Sequence, residues 1–298
     1  MKIAYLILAH DQEAQLDALT DALLTPESDD IAIIHADRRS ALWQRLRTRT
    51  APPNPRIHIL PNPVTVRWGH HSIVTATERL IATALQEGCD FAHLLSGADW
   101  PIVPRATVVE ALGKAAKPPC LIEAAPDPAL EERMQTHRLD ARWLRLDPAK
   151  DRMAYTATWE LRRLSGWLDR VCPSRQRPWG AWRKGSQWWT LPLDALTLLG
   201  AELPRLRRSG RLSGTVCADE HVIQTLIAAH FPERLAPARR FIDWEAGHSS
   251  PRTLTRASIP ALAASGAWFA RKFDARVDPF FLEPGAFDPI HAVARASD

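Results

Sequence analysis

The stretch AYLILAHD, residues 4–11, gives the clearest indication of the fold, because six consecutive apolar residues are followed directly by His10 and Asp11. A short continuous apolar run is typical of a parallel strand that is covered on both faces. Open α/β sheets bind their ligands beyond the carboxyl ends of such strands. The sequence therefore predicts a first buried strand over residues 2–9, with His10 and Asp11 at the ligand-binding edge of the sheet.

Strand-like and helix-like segments alternate through the first half of the chain. After the first strand, the patterns predict a helix over 12–24, strands at 31–36 and 57–60, a helix over 72–87 and a strand at 91–96. The second half is less regular, with strands predicted at 120–125, 185–192 and 239–244 and a helix over 218–231. Alternating strands and helices indicate an α/β fold with an open, mostly parallel sheet flanked by helices.

Length and composition fit a single globular unit. The chain has 298 residues, of which 46% are hydrophobic and 24% charged, which excludes disorder as the main state and supplies a large core. Its apolar runs fall far short of the roughly 20 residues of a membrane-spanning helix, and its start lacks the features of a signal peptide. No linker rich in Gly, Ser or Pro divides the chain. We therefore expect one domain over 1–298, in a cytoplasmic protein.

The cysteines and the charges exclude two further classes of protein. The four cysteines form no CxxC pair, which predicts neither a disulfide scaffold nor a structural zinc site; they are Cys89, Cys120, Cys172 and Cys217. The formal net charge is only +4, and aromatic residues do not alternate with the basic ones. Nucleic acid is therefore not expected as a partner.

The motifs of common nucleotide sites are absent. AHDQEA follows the first strand where a dinucleotide-binding protein has GxGxxG. A metal-dependent sugar transferase carries Asp-x-Asp after a central strand, but the loop SGADWP at 96–101 offers only Asp99. If a diphosphate is bound, fixed cations must neutralise it, and the candidates are Arg252, Arg271 and Lys272.

Tryptophan is unusually common, with 12 residues against two tyrosines. Its flat apolar ring suits both protein cores and the faces of sugars. Three tryptophans stand beside polar groups in predicted loops and are expected outside the core: Trp68, Trp100 and Trp244.

Eight segments occur in an order that is known from one family. They are AYLILAHD at 4–11, HADRRS at 35–40, VRWGHHSIVTA at 66–76, LLSGADWPI at 94–102, GSQWWTL at 185–191, ADEHVIQT at 218–225, IDWEAGHSSPRTL at 242–254 and ARKFD at 270–274. Together they resemble the core-2/I-branching β-1,6-N-acetylglucosaminyltransferase and protein O-xylosyltransferase family over roughly residues 1–280. The resemblance implies a variant GT-A fold and an inverting transfer from a UDP-sugar that needs no metal and no other cofactor.

The resemblance also implies roles for single residues. Glu220 matches the catalytic base, although an acid that stabilises a helix N-terminus is an alternative reading. Arg252 and Lys272 match the positions that hold the diphosphate, while Arg271 has no assigned role. The remaining matches are His10 and Asp37 for uridine, Ser96 and Asp99 in the donor loop, and Glu123, Trp244 and Glu245 on the acceptor side. Ser96 and Asp99 have an alternative role as caps of the helix that starts near Pro104.

On this reading the chain has a nucleotide-binding half over 1–115, an acceptor-side and catalytic half over 116–280, and a tail over 281–298. The sequence shows neither a membrane anchor nor a stem, so we expect a bacterial-type enzyme whose acceptor is a glycan or a lipid-linked saccharide. The basic excess favours peripheral contact with the anionic inner face of a membrane, each well-placed base contributing about 1 kcal/mol. A non-catalytic sensor or scaffold that binds nucleotide sugars in polysaccharide assembly is the alternative.

Overall fold

The structure is a computed structural model that describes residues 1–49, 54–127, 152–161, 163, 164, 167, 181–213, 215, 217–244, 250–288 and 290. Its strands are β1 (Ile3–Ala9), β2 (Ile31–Ala36), β3 (Ile57–Ile59), β4 (Phe91–Ser96), β5 (Asp99–Pro101), β6 (Cys120–Leu121), β7 (Ala125–Pro126), β8 (Arg183–Lys184), β9 (Thr190–Pro192), β10 (Leu235–Ala236), β11 (Arg240–Ile242) and β12 (Phe269–Arg271). Its helices are α1 (Glu13–Leu23), α2 (Ala41–Leu46), α3 (Ser72–Gln86), α4 (Arg105–Gly113), α5 (Arg152–Ala157), α6 (Leu193–Arg208), α7 (Val222–His230) and α8 (Ile259–Ala264).

A central sheet has the strand order β10-β6-β9-β4-β1-β2-β3. Strand β1 runs parallel to both β2 and β4, and β3 runs parallel to β2. Strand β9 is antiparallel to its neighbours β4 and β6. The prediction of a mostly parallel α/β sheet is therefore confirmed.

The two faces of β1 pack against different parts of the chain. Ile3, Tyr5 and Ile7 point into one hydrophobic core, which also contains residues of α1, α2 and the C-terminal region. Ala4 and Leu6 point into the opposite core, which is formed with α3, α6 and α7. Because successive side chains of a strand point to opposite faces, a wholly apolar strand fits only where both faces are covered.

A second, smaller sheet has the order β11-β12-β5 and joins the C-terminal region to the end of β4. Strand β5 follows β4 after a two-residue turn and pairs antiparallel with β12. The register places Arg271 opposite Asp99. This pairing brings residues that follow β12 to the carboxyl edge of the central sheet.

Several predicted boundaries in the second half are wrong. The strand predicted at 120–125 is divided into β6 and β7, and the one predicted at 185–192 begins only at Thr190. The helix predicted at 218–231 is a 3₁₀ turn, Ala218–Glu220, followed by α7. The strand predicted at 239–244 is limited to β11. Local patterns missed these breaks because residues 185–186 and 218–220 are held by bonds to distant segments.

The prediction for three tryptophans is confirmed for two of them. Trp68 and Trp244 are 61% and 59% exposed. Trp100 is buried in β5, where its ring lies 4.8 Å from that of Phe281, so its expected exposure is wrong. The antiparallel pairing of β5 with β12 covers a residue that the sequence pattern places in a loop.

Cys89 and Cys120 are buried free thiols, as expected. Burial raises the pKa of both the Cys89 and the Cys120 thiol to about 11. Cys172 lies outside the described residues. Across the described ranges, no helix has the length and apolar character required to cross a membrane.

Candidate active site

The floor of the candidate site is the carboxyl edge of β1 and β2. His10 is exposed immediately after β1. The Asp37 carboxylate, immediately after β2, accepts hydrogen bonds from the backbone N–H groups of Arg39 at 2.8 Å and Val66 at 3.1 Å. Asp37 thus orders the loop that leads from β3 towards Trp68. Both residues predicted for uridine lie at the edge that the strand pattern indicated.

The donor loop at the end of β4 is closed by Ser96 and Asp99. The Asp99 carboxylate accepts hydrogen bonds from the Ser96 backbone N–H at 2.7 Å and the Ser96 hydroxyl at 2.9 Å. Asp99 is 1% exposed, and burial raises its pKa while Arg271 opposes that rise. Helix α4 starts after Pro104 without a side-chain cap, so the alternative capping role is wrong. Asp99 shapes this loop from beneath.

The two predicted cations, Lys272 and Arg252, lie on segments that are bonded to each other. The Lys272 carbonyl accepts the backbone N–H of Leu254 at 2.8 Å, and the Phe273 N–H donates to the Ala98 carbonyl at 2.9 Å. Lys272 is therefore next to the donor loop. Arg252 is two residues before Leu254 and is largely exposed, with Nη1 3.9 Å from a carboxylate oxygen of Asp243.

The predicted base, Glu220, belongs to the 3₁₀ turn that precedes α7. Its carbonyl accepts the backbone N–H of Gly185 at 2.9 Å. The carboxylate of Glu123 accepts the N–H of Ser186 at 3.2 Å. A Cβ atom on Gly185 would lie 1.8 Å from the Glu123 carbonyl oxygen, so only glycine permits this approach. The turn at 185–186 thus brings the predicted base and a predicted acceptor-side acid together.

Trp188 joins two parts of the site: the base side, formed by Glu220 and the 185–186 turn, and the cation side, formed by Arg252, Arg271 and Lys272. Its backbone N–H lies 3.4 Å from the Ser186 hydroxyl, and its ring lies under the Arg271 guanidinium, 4.3 Å from ring centroid to Cζ. The arrangement combines a carboxylate, a pair of cations and the carboxyl edge of a parallel sheet. Such a combination can bind an anionic nucleotide and remove a proton from a nearby hydroxyl.

A family model now identifies the fold. The model of the core-2/I-branching enzyme matches residues 3–263, which is most of the chain. The chain belongs to the core-2/I-branching enzyme family. The family consists of glycosyltransferases, so this enzyme uses a nucleotide-sugar donor and a glycan acceptor. Its mixed central sheet with flanking helices agrees with the expected GT-A-like fold. No curated protein sequence matches the chain.

Two buried glutamines that the sequence patterns did not single out help to build the site. The Gln224 amide donates to the Ser186 carbonyl at 2.8 Å and the Asp219 carbonyl at 2.9 Å, which ties the 185–186 turn to the 3₁₀ turn. The Gln15 amide donates to the carbonyls of Gly97 at 2.9 Å and Phe273 at 3.2 Å. A glutamine within the apolar face of a helix is the pattern that points to such residues, because buried polar groups need partners.

Of the two remaining residues that are predicted for the acceptor side, the structure describes one. Trp244 is exposed and follows Asp243, whose carbonyl accepts the N–H of Arg252 at 2.8 Å. The backbone next to Trp244 is therefore bonded to the segment that carries Arg252. Glu245 lies outside the described residues. Among the residues that are described, no three His, Cys, Asp or Glu side chains are grouped so as to hold a metal ion.

The acid next to the predicted base gives the stability of the protein a pH dependence. Burial, followed by the charge of Glu220, raises the pKa of Asp219 to about 7. An unfolded aspartate titrates at about 3.9, so the folded state keeps a proton that the unfolded state releases. Retention of this proton favours the folded state, so the free energy of unfolding decreases as the pH rises from about 4 to about 7.

We expect Asp219→Asn to remove this decrease in the free energy of unfolding, because asparagine is neutral at every pH. Urea denaturation would then find the variant and the native protein equally stable near about pH 4 and the variant more stable by about 1–3 kcal/mol near pH 8. Parallel pH curves for the two proteins would mean that the folded state does not retain the Asp219 proton.

Proposed function

We propose that the enzyme is an inverting glycosyltransferase that moves N-acetylglucosamine or xylose from a UDP-sugar to a hydroxyl group of a glycan, without a metal ion. The observation that carries the proposal is the position of Lys272. Its backbone carbonyl accepts the N–H of Leu254, two residues after Arg252, and the N–H of the next residue, Phe273, donates to the donor loop. Two cations are therefore available where a nucleotide diphosphate on the sheet edge would lie.

The proposed chemistry divides between the two sides of the site. Glu220 takes the proton of the acceptor hydroxyl as that oxygen attacks the anomeric carbon of the sugar, a role worth about 10²–10⁴-fold in rate. The bond from that carbon to the diphosphate oxygen breaks, and UDP leaves with additional negative charge. Arg252 and Lys272 stabilise this charge more in the transition state than in the bound donor, which is how they assist the reaction.

The experiment that tests the proposal is calorimetric titration of the purified protein in EDTA. UDP, UDP-N-acetylglucosamine and UDP-xylose are titrated separately, and we expect UDP to bind with micromolar affinity. A preference between the two sugar nucleotides would identify the donor. Absence of binding in EDTA that manganese restores would overturn the metal independence, and absence of binding under both conditions would overturn the choice of donor.

For the acceptor we propose a lipid-linked saccharide at an anionic membrane surface. The support comes from the segment 152–167, where exposed large apolar side chains are concentrated: Met153, Trp159, Leu161, Leu164 and Trp167. The sequence of this segment also holds three arginines against one glutamate. Exposed tryptophans with nearby cations are typical of protein surfaces that lie in the headgroup region of a bilayer.

We expect the protein to sediment with phosphatidylglycerol vesicles. The double variant Trp159→Ala and Trp167→Ala should bind the vesicles at least about tenfold more weakly, since each large apolar side chain contributes about 1.5–3 kcal/mol when buried. Val277→Ala, which removes an exposed apolar side chain elsewhere, is the matched control. Unchanged sedimentation of the double variant would contradict the assignment. A dimer in gel filtration that the same variant dissociates would assign the surface to a second copy of the chain.

A further inference from the structure

We propose that Arg271 is a positioning residue that fixes Lys272 relative to the turn carrying Glu220, through its contacts with Asp99 and Trp188. The inference rests on the proposed function of Lys272 and goes beyond it. Arg271 is the immediate neighbour of Lys272 in the chain. Its side chain contacts Asp99 of the donor loop and Trp188 of the base side.

The first contact is with the donor loop. Arg271 on β12 lies opposite Asp99 on β5 in the antiparallel register. Arg271 Nε is 3.5 Å from Asp99 Oδ1, and the two side chains are 15% and 1% exposed. Both Asp99 oxygens also accept hydrogen bonds from Ser96. Removal of either partner is costly, because it leaves the other as an uncompensated buried charge.

The second contact is with the base side. The Arg271 guanidinium stacks on Trp188, with Cζ 4.3 Å from the ring centroid. Trp188 is 7% exposed and its backbone N–H faces the Ser186 hydroxyl at 3.4 Å. The preceding residue, Gly185, donates its N–H to the Glu220 carbonyl at 2.9 Å. A continuous series of contacts therefore joins the chain at Lys272 to the turn of the predicted base.

The charge of this cluster suits an anionic ligand. A second, partly buried arginine, Arg240, donates to the carbonyl of Trp189 at 3.1 Å and the hydroxyl of Thr190 at 3.2 Å. The Asp99 charge acts on both arginines and favours their charged forms, while burial lowers the pKa of each. Two guanidiniums and one carboxylate leave an excess of positive charge in this cluster. A bound diphosphate would balance that charge.

The side chain of Arg271 is arranged for support. Its guanidinium lies between the Asp99 carboxylate and the Trp188 ring, so both its charge and its flat face are engaged. A lysine would keep the charge and lose the planar stacking. We therefore expect Arg271→Lys to displace Lys272 without changing the uridine edge, which is built from β1 and β2.

The test compares UDP with uridine, which lacks the diphosphate, by calorimetry in EDTA. We expect Arg271→Lys and Asp99→Asn each to weaken UDP binding by about tenfold and uridine binding by less than about twofold. In the background of Lys272→Ala the same changes should weaken UDP binding by less than about twofold, because residues that act through one another are not additive. Arg256→Lys, at the exposed pair of Arg256 with Glu283, is the matched control and should alter neither affinity.

Equal losses of UDP and uridine affinity would mean a general structural role and would overturn the proposal, as would unchanged UDP affinity or full additivity with Lys272→Ala. If Asp99→Asn does not fold, Trp188→Phe takes its place, since it keeps the packing and weakens the stacking. Two outcomes separate this proposal from the proposed function of Lys272. If the native protein binds UDP no more tightly than uridine, the proposed function of Lys272 is contradicted. If the native protein prefers UDP and Arg271→Lys keeps that preference, only the positioning role of Arg271 is contradicted.

Discussion

Replacing Glu220 with Gln is expected to lower the rate of sugar transfer by at least about 100-fold and to leave UDP binding unchanged. The amide is nearly isosteric with the carboxylate but cannot accept the proton of the attacking hydroxyl. The turn itself should persist, because its bond to Gly185 uses the Glu220 backbone carbonyl. Release of UDP with a saccharide acceptor measures the rate, and calorimetry measures the affinity for UDP.

The control for this substitution is Glu123→Gln, which changes the other carboxylate beside the 185–186 turn. We expect Glu123→Gln to raise the KM for the acceptor more than it lowers kcat, since the proposed role of Glu123 is to bind sugar hydroxyls. A Glu220→Gln rate within about tenfold of the native rate would remove Glu220 as the base. A native protein that binds UDP-sugars but transfers nothing to any acceptor would favour the sensor or scaffold alternative.

Removing either proposed diphosphate cation is expected to weaken UDP binding in EDTA by about 10–100-fold, since a hydrogen bond to a charged group contributes about 1.5–3 kcal/mol. Lys272→Ala and Arg252→Ala each delete one such group. Both variants should bind uridine as the native protein does, because uridine lacks the diphosphate. Calorimetric titration of the three proteins with UDP and with uridine provides the measurement.

Lys114→Ala serves as the matched control, since Lys114 is an exposed cation at the end of α4 and away from the sheet edge. The UDP affinity of this variant should equal that of the native protein. The effect of Lys272→Ala should also shrink as salt is added, because exposed charges are screened. If both cation variants bind UDP normally, the diphosphate is held elsewhere, and the acids Asp99 and Asp243 would need to be re-examined with a divalent ion present.

Local sequence patterns are sufficient to predict the parallel part of the central sheet and its ligand-binding edge. The runs at 4–9, 31–36 and 91–96 are almost entirely apolar, and a strand of that composition is stable only between two covered faces. The polar residues directly after these runs, such as His10 and Asp37, therefore had to lie at one edge. Each of these conclusions rests on local periodicity, which a sequence displays directly.

The way in which the second half of the chain completes the site depends on long-range contacts that appear only in the folded structure. The pairing of β5 with β12 buries Trp100 and brings Asp99 to Arg271, although these residues are about 170 positions apart in the chain. The sequence predicts the start of a strand at 185–186 and the start of a helix at 218–220. Both segments are turns in the structure, and a backbone hydrogen bond joins them. Contacts of this kind carry no period, because they depend on which distant backbone groups need a partner once the core has formed.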